Sequence, residues 1–164
     1  RLFEVDVIGQ IALTKAVLPV MLTQESGHIA VMASVAGKVG VPYRTGYCAA
    51  KHAMMGFFDA LRGEVAQHGI SVHTIVPGYI RTNISVSALQ GDGSEMGYMD
   101  KAIAGGMDAD ACAEVVIKGL GRGKPEIPVG KGTEMHALWL KRLAPGLIFK
   151  WTAKMVRKPE KASE

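Results

Sequence analysis

Gly27-His28-Ile29-Ala30-Val31-Met32-Ala33-Ser34 opens on a glycine, runs through apolar residues and closes on a serine. His28–Ala33 is short and largely apolar, the pattern of a buried strand. Upstream, Val7, Ile11, Leu13, Thr14, Val17, Leu18 and Met21 recur at helical spacing, which predicts a helix near 4–24. Pro19 predicts a kink there, since an interior proline costs a helix about 3 kcal/mol. Downstream, Ala50, Met54, Phe57, Phe58, Leu61 and Val65 form one stripe of a helix over 47–67, with Gly69 as its stop. Ile70–Val76 reads as the next strand. Asp108 predicts a cap for a helix over 109–120, and Glu126–Val129 a short strand. Helices alternating with strands in this order predict an α/β sheet of parallel strands.

The chemistry lies just beyond the first strand. Tyr47 and Lys51 are four residues apart, on one helix face and one turn from each other. An ammonium so placed favours the phenolate form of a tyrosine. Ser34, at the strand end, can hold a carbonyl oxygen against that phenol. Such a set donates a proton to an oxygen as a hydride arrives at its carbon. Taken singly, Tyr47 and Lys51 also fit solvated helix residues, and Ser34 a turn cap.

With their flanks, these residues resemble the short-chain dehydrogenase/reductase family. The matching stretches are Gly27–Ser34, the Tyr47/Lys51 pair and Pro77-Gly78-Tyr79-Ile80-Arg81-Thr82. Ser34–Lys38 and Ala144–Leu147 are similar to the branch that holds the 11β-hydroxysteroid dehydrogenases and the member-7-like reductases. The resemblance covers nearly the whole chain. It implies the C-terminal part of a doubly wound, Rossmann-type α/β domain over 1–134, followed by a basic amphipathic extension over 135–164. It further implies Tyr47 as general acid/base, Ser34 on the substrate oxygen, and Lys51 on the nicotinamide ribose. Pro77, Gly78, Ile80 and Thr82 would lie against the cofactor, NADP by the branch resembled, with NAD possible. The implied substrate is a small hydrophobic alcohol or ketone. The implied assembly is a homodimer or homotetramer formed through the helices near 4–24 and 47–67. Two departures stand out. The family's glycine-rich phosphate loop is not in this sequence, which fits a portion of a longer enzyme. Asp6 stands where the family often has an asparagine that supports a proton-relay water; an ionised aspartate can accept from such a water but not donate. A non-catalytic remnant or binding module is the alternative reading.

Composition sets further bounds. The chain has 164 residues, 48% hydrophobic and 21% charged, which suits one globular domain. Residues 1–134 hold 12 Lys/Arg against 13 Asp/Glu, and residues 135–164 hold 7 against 2. The basic character therefore belongs to the tail, and no basic face interleaved with aromatics points to nucleic acid. Cys48 and Cys112 form no C-x-x-C pair and fit a reducing, cytoplasmic setting. No apolar run reaches the roughly 20 residues of a bilayer span. His28, His52, His68, His73 and His136 are scattered, without metal-ligand spacing. No Gly-x-Ser-x-Gly elbow surrounds Ser34, which argues against a serine hydrolase.

Two segments stand apart. Residues 83–107 carry Gly91, Gly93, Gly97, Gly105 and Gly106 among Met96, Met99 and Met107. Their length predicts a functional segment, a lid whose methionines meet an apolar substrate, or else a surface insertion. In the tail, Pro145-Gly146 breaks His136–Leu143 from Leu147–Val156. Ile148, Trp151, Thr152 and Met155 share a face, with Lys150, Lys154, Arg157 and Lys158 around it. That pattern fits either a helix packed on the domain or a partner, or membrane-surface contact through 147–158.

Overall fold

A computed structural model describes residues 1–88, 93–95 and 97–156. Three strands, β1 (Gly27–Met32), β2 (Ile70–Pro77) and β3 (Glu126–Val129), form a parallel sheet in the order β1-β2-β3. The register runs Gly27 to Ile70 and Met32 to Ile75, then Thr74 to Glu126 and Pro77 to Val129. Side chains alternate across a strand, so this register assigns each residue to a face.

One face carries Ile29, Val31, Ile70 and Val72. It is covered by a turn at Glu4–Ile8 through Val7 and by α2 (Thr45–Val65) through Met54, Phe58, Leu61 and Val65, with Ile11, Leu18 and Met21 of α1 (Gly9–Gln24) packed against them. The other face carries Ile75, Ile127 and Val129 under Cys112 of α4 (Ala109–Gly121). Helices on both faces give the doubly wound α/β arrangement. On that second face β1 shows His28, Ala30 and Met32 to solvent.

Local signals explain most boundaries. Asp108 caps α4 by accepting from the N–H groups of Asp110 and Ala111. Gly69 follows a short 3₁₀ turn after α2 at φ 68°, the left-handed conformation that glycine tolerates. A Cβ there would stand 2.2 Å from the Glu25 carbonyl oxygen, so the site is closed to any other residue.

Several expectations change. The first helix holds an irregularity besides Pro19. A π turn at Glu4–Ile8 precedes α1, its wider ring closed by the Gly9 N–H on the Glu4 carbonyl. Helix α1 then continues through Pro19, which is exposed, so water can serve the carbonyl that proline leaves unpaired. Leu13 faces solvent rather than the core. The segment Glu4–Gln24 is also apolar and long enough to cross a membrane by length and composition, with 11% of its most apolar window buried. The bilayer-length run judged absent from the sequence is therefore present. The histidines are not all scattered: buried His73 presents Nε2 to His28 Nδ1 at 3.0 Å and Nδ1 to the Lys124 carbonyl at 2.7 Å. A carbonyl only accepts, so His73 carries a proton on Nδ1.

The tail is part of the core. Helices α5 (Glu134–Leu143) and α6 (Pro145–Lys154) bury Ala137 and Ile148 against Ala33, Val35, Val39, Met55 and Val76. Of the face expected in the second piece, Ile148 turns inward while Trp151 and Met155 are exposed. Arg157 and Lys158 lie outside the described residues.

Candidate active site

In a parallel sheet the carboxyl ends of the strands share one edge, where ligands of such folds gather. Ser34 follows β1, Pro77 ends β2 with Gly78 just after it, and Tyr47 and Lys51 occupy the first turns of the helix that leaves β1. The fold thus brings three distant stretches to one edge.

Lys51 is the best-held member. It is buried, and its Nζ donates to Asp6 Oδ1 at 3.0 Å and to the Met32 carbonyl at 3.3 Å. The Met32 carbonyl is the last of β1, so this bond ties α2 to the strand end. Nζ also lies 5.6 Å from the centre of the Tyr47 ring. An ammonium has three donors, and two are accounted for. The Asp6 carboxylate, in the π turn, pairs directly with Lys51.

Asp6→Ala is expected to lower the unfolding free energy by about 1–2 kcal/mol, a partly solvated version of breaking a buried pair. Asp6→Asn keeps an acceptor for Nζ and should cost less than half as much. Urea titration of the two variants checks this; equal losses would mean that charge alone, and not the hydrogen bond, holds Lys51.

Ser34 caps a 3₁₀ turn over Val35–Gly37, its Oγ accepting from the Ala36 N–H at 3.1 Å. The cap uses the hydroxyl only as an acceptor, leaving its proton for another oxygen. Among the described residues no hydrogen bond joins Ser34 to Tyr47. Gly37, in the same turn, packs so closely on α2 that a Cβ would stand 2.8 Å from the Lys51 carbonyl oxygen.

The Pro77–Thr82 segment is held from two sides. The Gly78 N–H donates to the Val129 carbonyl at 2.8 Å. The Tyr79 N–H donates to Glu134 Oε1 at 3.2 Å. Ile80 bridges to Met107, with Met107 N–H on the Tyr79 carbonyl and Arg81 N–H on the Met107 carbonyl, each at 2.8 Å. Thr82 is exposed. Arg81 pairs with Asp108 at 2.6 Å. The hydrogen bond from Arg81, then those from the Asp110 and Ala111 N–H groups, hold the Asp108 carboxyl below its ordinary value. Its capping contribution is present above the ordinary carboxylate range and fades only as pH falls through the lowered value.

Glu134 escaped the sequence reading. The available signal was glycine spacing: a Cβ on Gly78, Gly130 or Gly132 would collide with Glu134 or Met135, so all three permit a close approach of α5. Met107, expected on a lid, packs beside Ile80 against the second-face core. Met96 and Gly91 lie outside the described residues. Arg44, just before α2, lies 3.6 Å from Asp100, which caps the short helix α3 (Lys101–Ala104). That pair brings Asp100 to the start of α2.

A cavity of about 420 Å³ opens beside the first turn of α2, lined mainly by Val39, Val41, Pro42, Cys48, Ile148 and Phe149. The Cys48 thiol accepts from the Val41 N–H at 3.3 Å, fixing the loop that forms its wall.

Comparison with known proteins bears on the same residues. The short chain dehydrogenase profile matches residues 1–92. "Dehydrogenase/reductase SDR family member 7B" from Bos taurus is 41% identical over 162 residues, covering 99% of this chain and 50% of that protein. "Dehydrogenase/reductase SDR family protein 7-like" from Drosophila melanogaster is 43% identical over 164 residues, covering 100% of this chain and 50% of that protein. The chain thus spans about half the length of these relatives. A short chain dehydrogenase from Burkholderia cenocepacia, solved in complex with NADP, shares the fold at a TM-score of 0.74 and 18% identity, over 95% of this chain and 58% of that one. One from Streptomyces avermitilis does so at 0.69 and 24%, over 95% and 61%. With a profile match over more than half its length and relatives near 40% identity, the chain belongs to the short-chain dehydrogenase/reductase family.

Proposed function

We propose that this chain supplies the proton-transfer half of an NADP-dependent oxidoreductase acting on a hydrophobic alcohol or ketone. The observation that carries this reading is the buried Lys51 ammonium. It is fixed by Asp6 and the Met32 carbonyl and set one helical turn from Tyr47. In the reductive direction Tyr47 gives its phenolic proton to the carbonyl oxygen, and the phenolate left behind faces the Lys51 charge. Ser34, with its hydroxyl proton uncommitted, holds the same oxygen in line. In the oxidative direction the proton returns to Tyr47.

The residues present suit a nicotinamide dinucleotide. Lys51 has a donor left for a ribose hydroxyl, and Pro77 ends β2, with Gly78, Ile80 and Thr82 following it, at the same sheet edge. The bound dinucleotide supplies the hydride; the chain supplies orientation and the proton. NADP is the cofactor that the branch resembled implies, and a solved structure of the same fold holds NADP.

An apolar cavity beside Cys48, the helix neighbour of Tyr47, supports the substrate class, its volume lying within the ordinary range for small-molecule sites. The Arg44–Asp100 pair supports a lid role for the 83–107 segment. The exposed apolar residues Val5, Ile8, Leu13 and Val20 support homo-oligomer contact along the first helix.

The test is reduced-nicotinamide absorbance with the full-length gene product, NADPH or NADH, and a panel of hydrophobic ketones. Turnover with NADPH is expected. Neither turnover nor cofactor binding would favour a non-catalytic binding module instead.

A further inference from the structure

Backbone partners hold Gly78 and Arg81 in place. The Gly78 N–H meets the Val129 carbonyl, and Met107 pairs with both Tyr79 and Arg81, each bond 2.8 Å long. The Tyr79 N–H is held differently. Its acceptor is a side chain, Glu134 Oε1 at 3.2 Å, from an element 55 residues further on. A carboxylate accepts more strongly than a neutral oxygen because its charge assists the bond. Among the described residues Glu134 pairs with no Lys, Arg or His, so the carboxylate is not committed to an ion pair.

The surroundings fix that carboxylate. Glu134 is the first residue of α5, and a negative group is favoured at this end of a helix. A Cβ on Gly78 would stand 2.4 Å from Oε1, and one on Gly132 would stand 1.9 Å from Oε2. Two glycines therefore keep open the slot that the carboxylate fills. We propose that Glu134 is a positioning residue for the cofactor: it fixes the Tyr79 backbone, and with it the surface that Gly78 and Ile80 offer the nicotinamide. This rests on the enzymatic reading above, in which Pro77–Thr82 lies against the dinucleotide. Glu134 acts through Tyr79 and touches no reacting atom. The cavity wall at Ile148 is seated by core packing that does not involve Glu134. Loss of the clamp should therefore weaken the dinucleotide and leave the substrate side alone.

The test uses the full-length gene product. Glu134→Ala should raise the NADPH Kd, read by quenching of protein fluorescence, roughly tenfold, the weight of one hydrogen bond to a charged group. The KM for NADPH should rise with it, while the KM for the ketone stays within about twofold of wild type. Glu134→Gln keeps an acceptor oxygen and should hold the NADPH Kd within about threefold of wild type. Gly132→Ala should push the carboxylate off Tyr79 without removing it and weaken NADPH by a similar factor. Added to Glu134→Ala it should do nothing further, because the atoms it collides with are gone. Glu134→Gln and Gly132→Ala decide the question even where Glu134→Ala fails to fold. An unchanged NADPH Kd in Glu134→Ala and Gly132→Ala, equal rises in both KM values, or additive losses in the double variant would overturn this proposal while wild-type turnover keeps the enzymatic reading. A wild type that neither binds NADPH nor turns over a ketone would overturn both.

Discussion

Tyr47→Phe is expected to lower kcat by roughly 10³- to 10⁴-fold, the upper range for loss of general acid–base catalysis. The substitution removes one oxygen and leaves the ring that faces Lys51. Lys51 keeps both of its anchors, Asp6 and the Met32 carbonyl, because neither involves Tyr47. The cofactor side should therefore be unmoved. NADPH binding, followed by quenching of protein fluorescence, should stay within about twofold of wild type while turnover disappears, the mark of an interaction made in the transition state. Wild-type turnover in this variant would remove Tyr47 from the reaction.

Gly37→Ala should cost both stability and rate, though residue 37 touches no substrate in this reading. The added methyl would stand 2.8 Å from the Lys51 carbonyl oxygen and 3.0 Å from Met55 Cγ. A methionine can bend aside, but a helix carbonyl cannot. The Val35–Gly37 turn must lift, and Ser34 caps that turn. An overpacked core contact costs about 2–3 kcal/mol, worth a fall in Tm of roughly 4–12 °C at this chain length. Displacing Ser34 by about 1 Å should lower kcat by around 10²-fold. Gly40→Ala is the control, since a Cβ there meets nothing within 4 Å. Calorimetry and steady-state kinetics on the pair decide the matter: unchanged kcat for Gly37→Ala would show that the turn does not position Ser34.

What the sequence made legible had local causes. The Asp108 cap and the strand Glu126–Val129 stand at the expected positions because capping and short apolar runs are read within a few residues. The Tyr47–Lys51 pairing followed from helix periodicity alone. The rest needed contacts between distant segments. Asp6 meets Lys51 across 45 residues, and the histidine pair spans the same separation. Glu134 reaches Tyr79 across 55. No periodicity encodes these, and they depend on the sheet order. Ile148 was placed correctly on an apolar face, yet periodicity does not say which face of a helix meets the protein and which meets something else.

The Glu134 contact and the burial of Ala137 and Ile148 also limit how this chain can be recombined. Its C-terminal hairpin is not an interchangeable module. A chimera joined at residue 134 would replace, in one cut, a wall of the apolar cavity, part of the packing beneath Val35 and Val39, and the clamp on Tyr79. A donor tail would succeed only if it brought a glutamate at 134, a methionine-sized neighbour against Gly78, and a branched aliphatic at 148. Evolution along this branch should therefore exchange the loop after β2 and the hairpin together rather than separately.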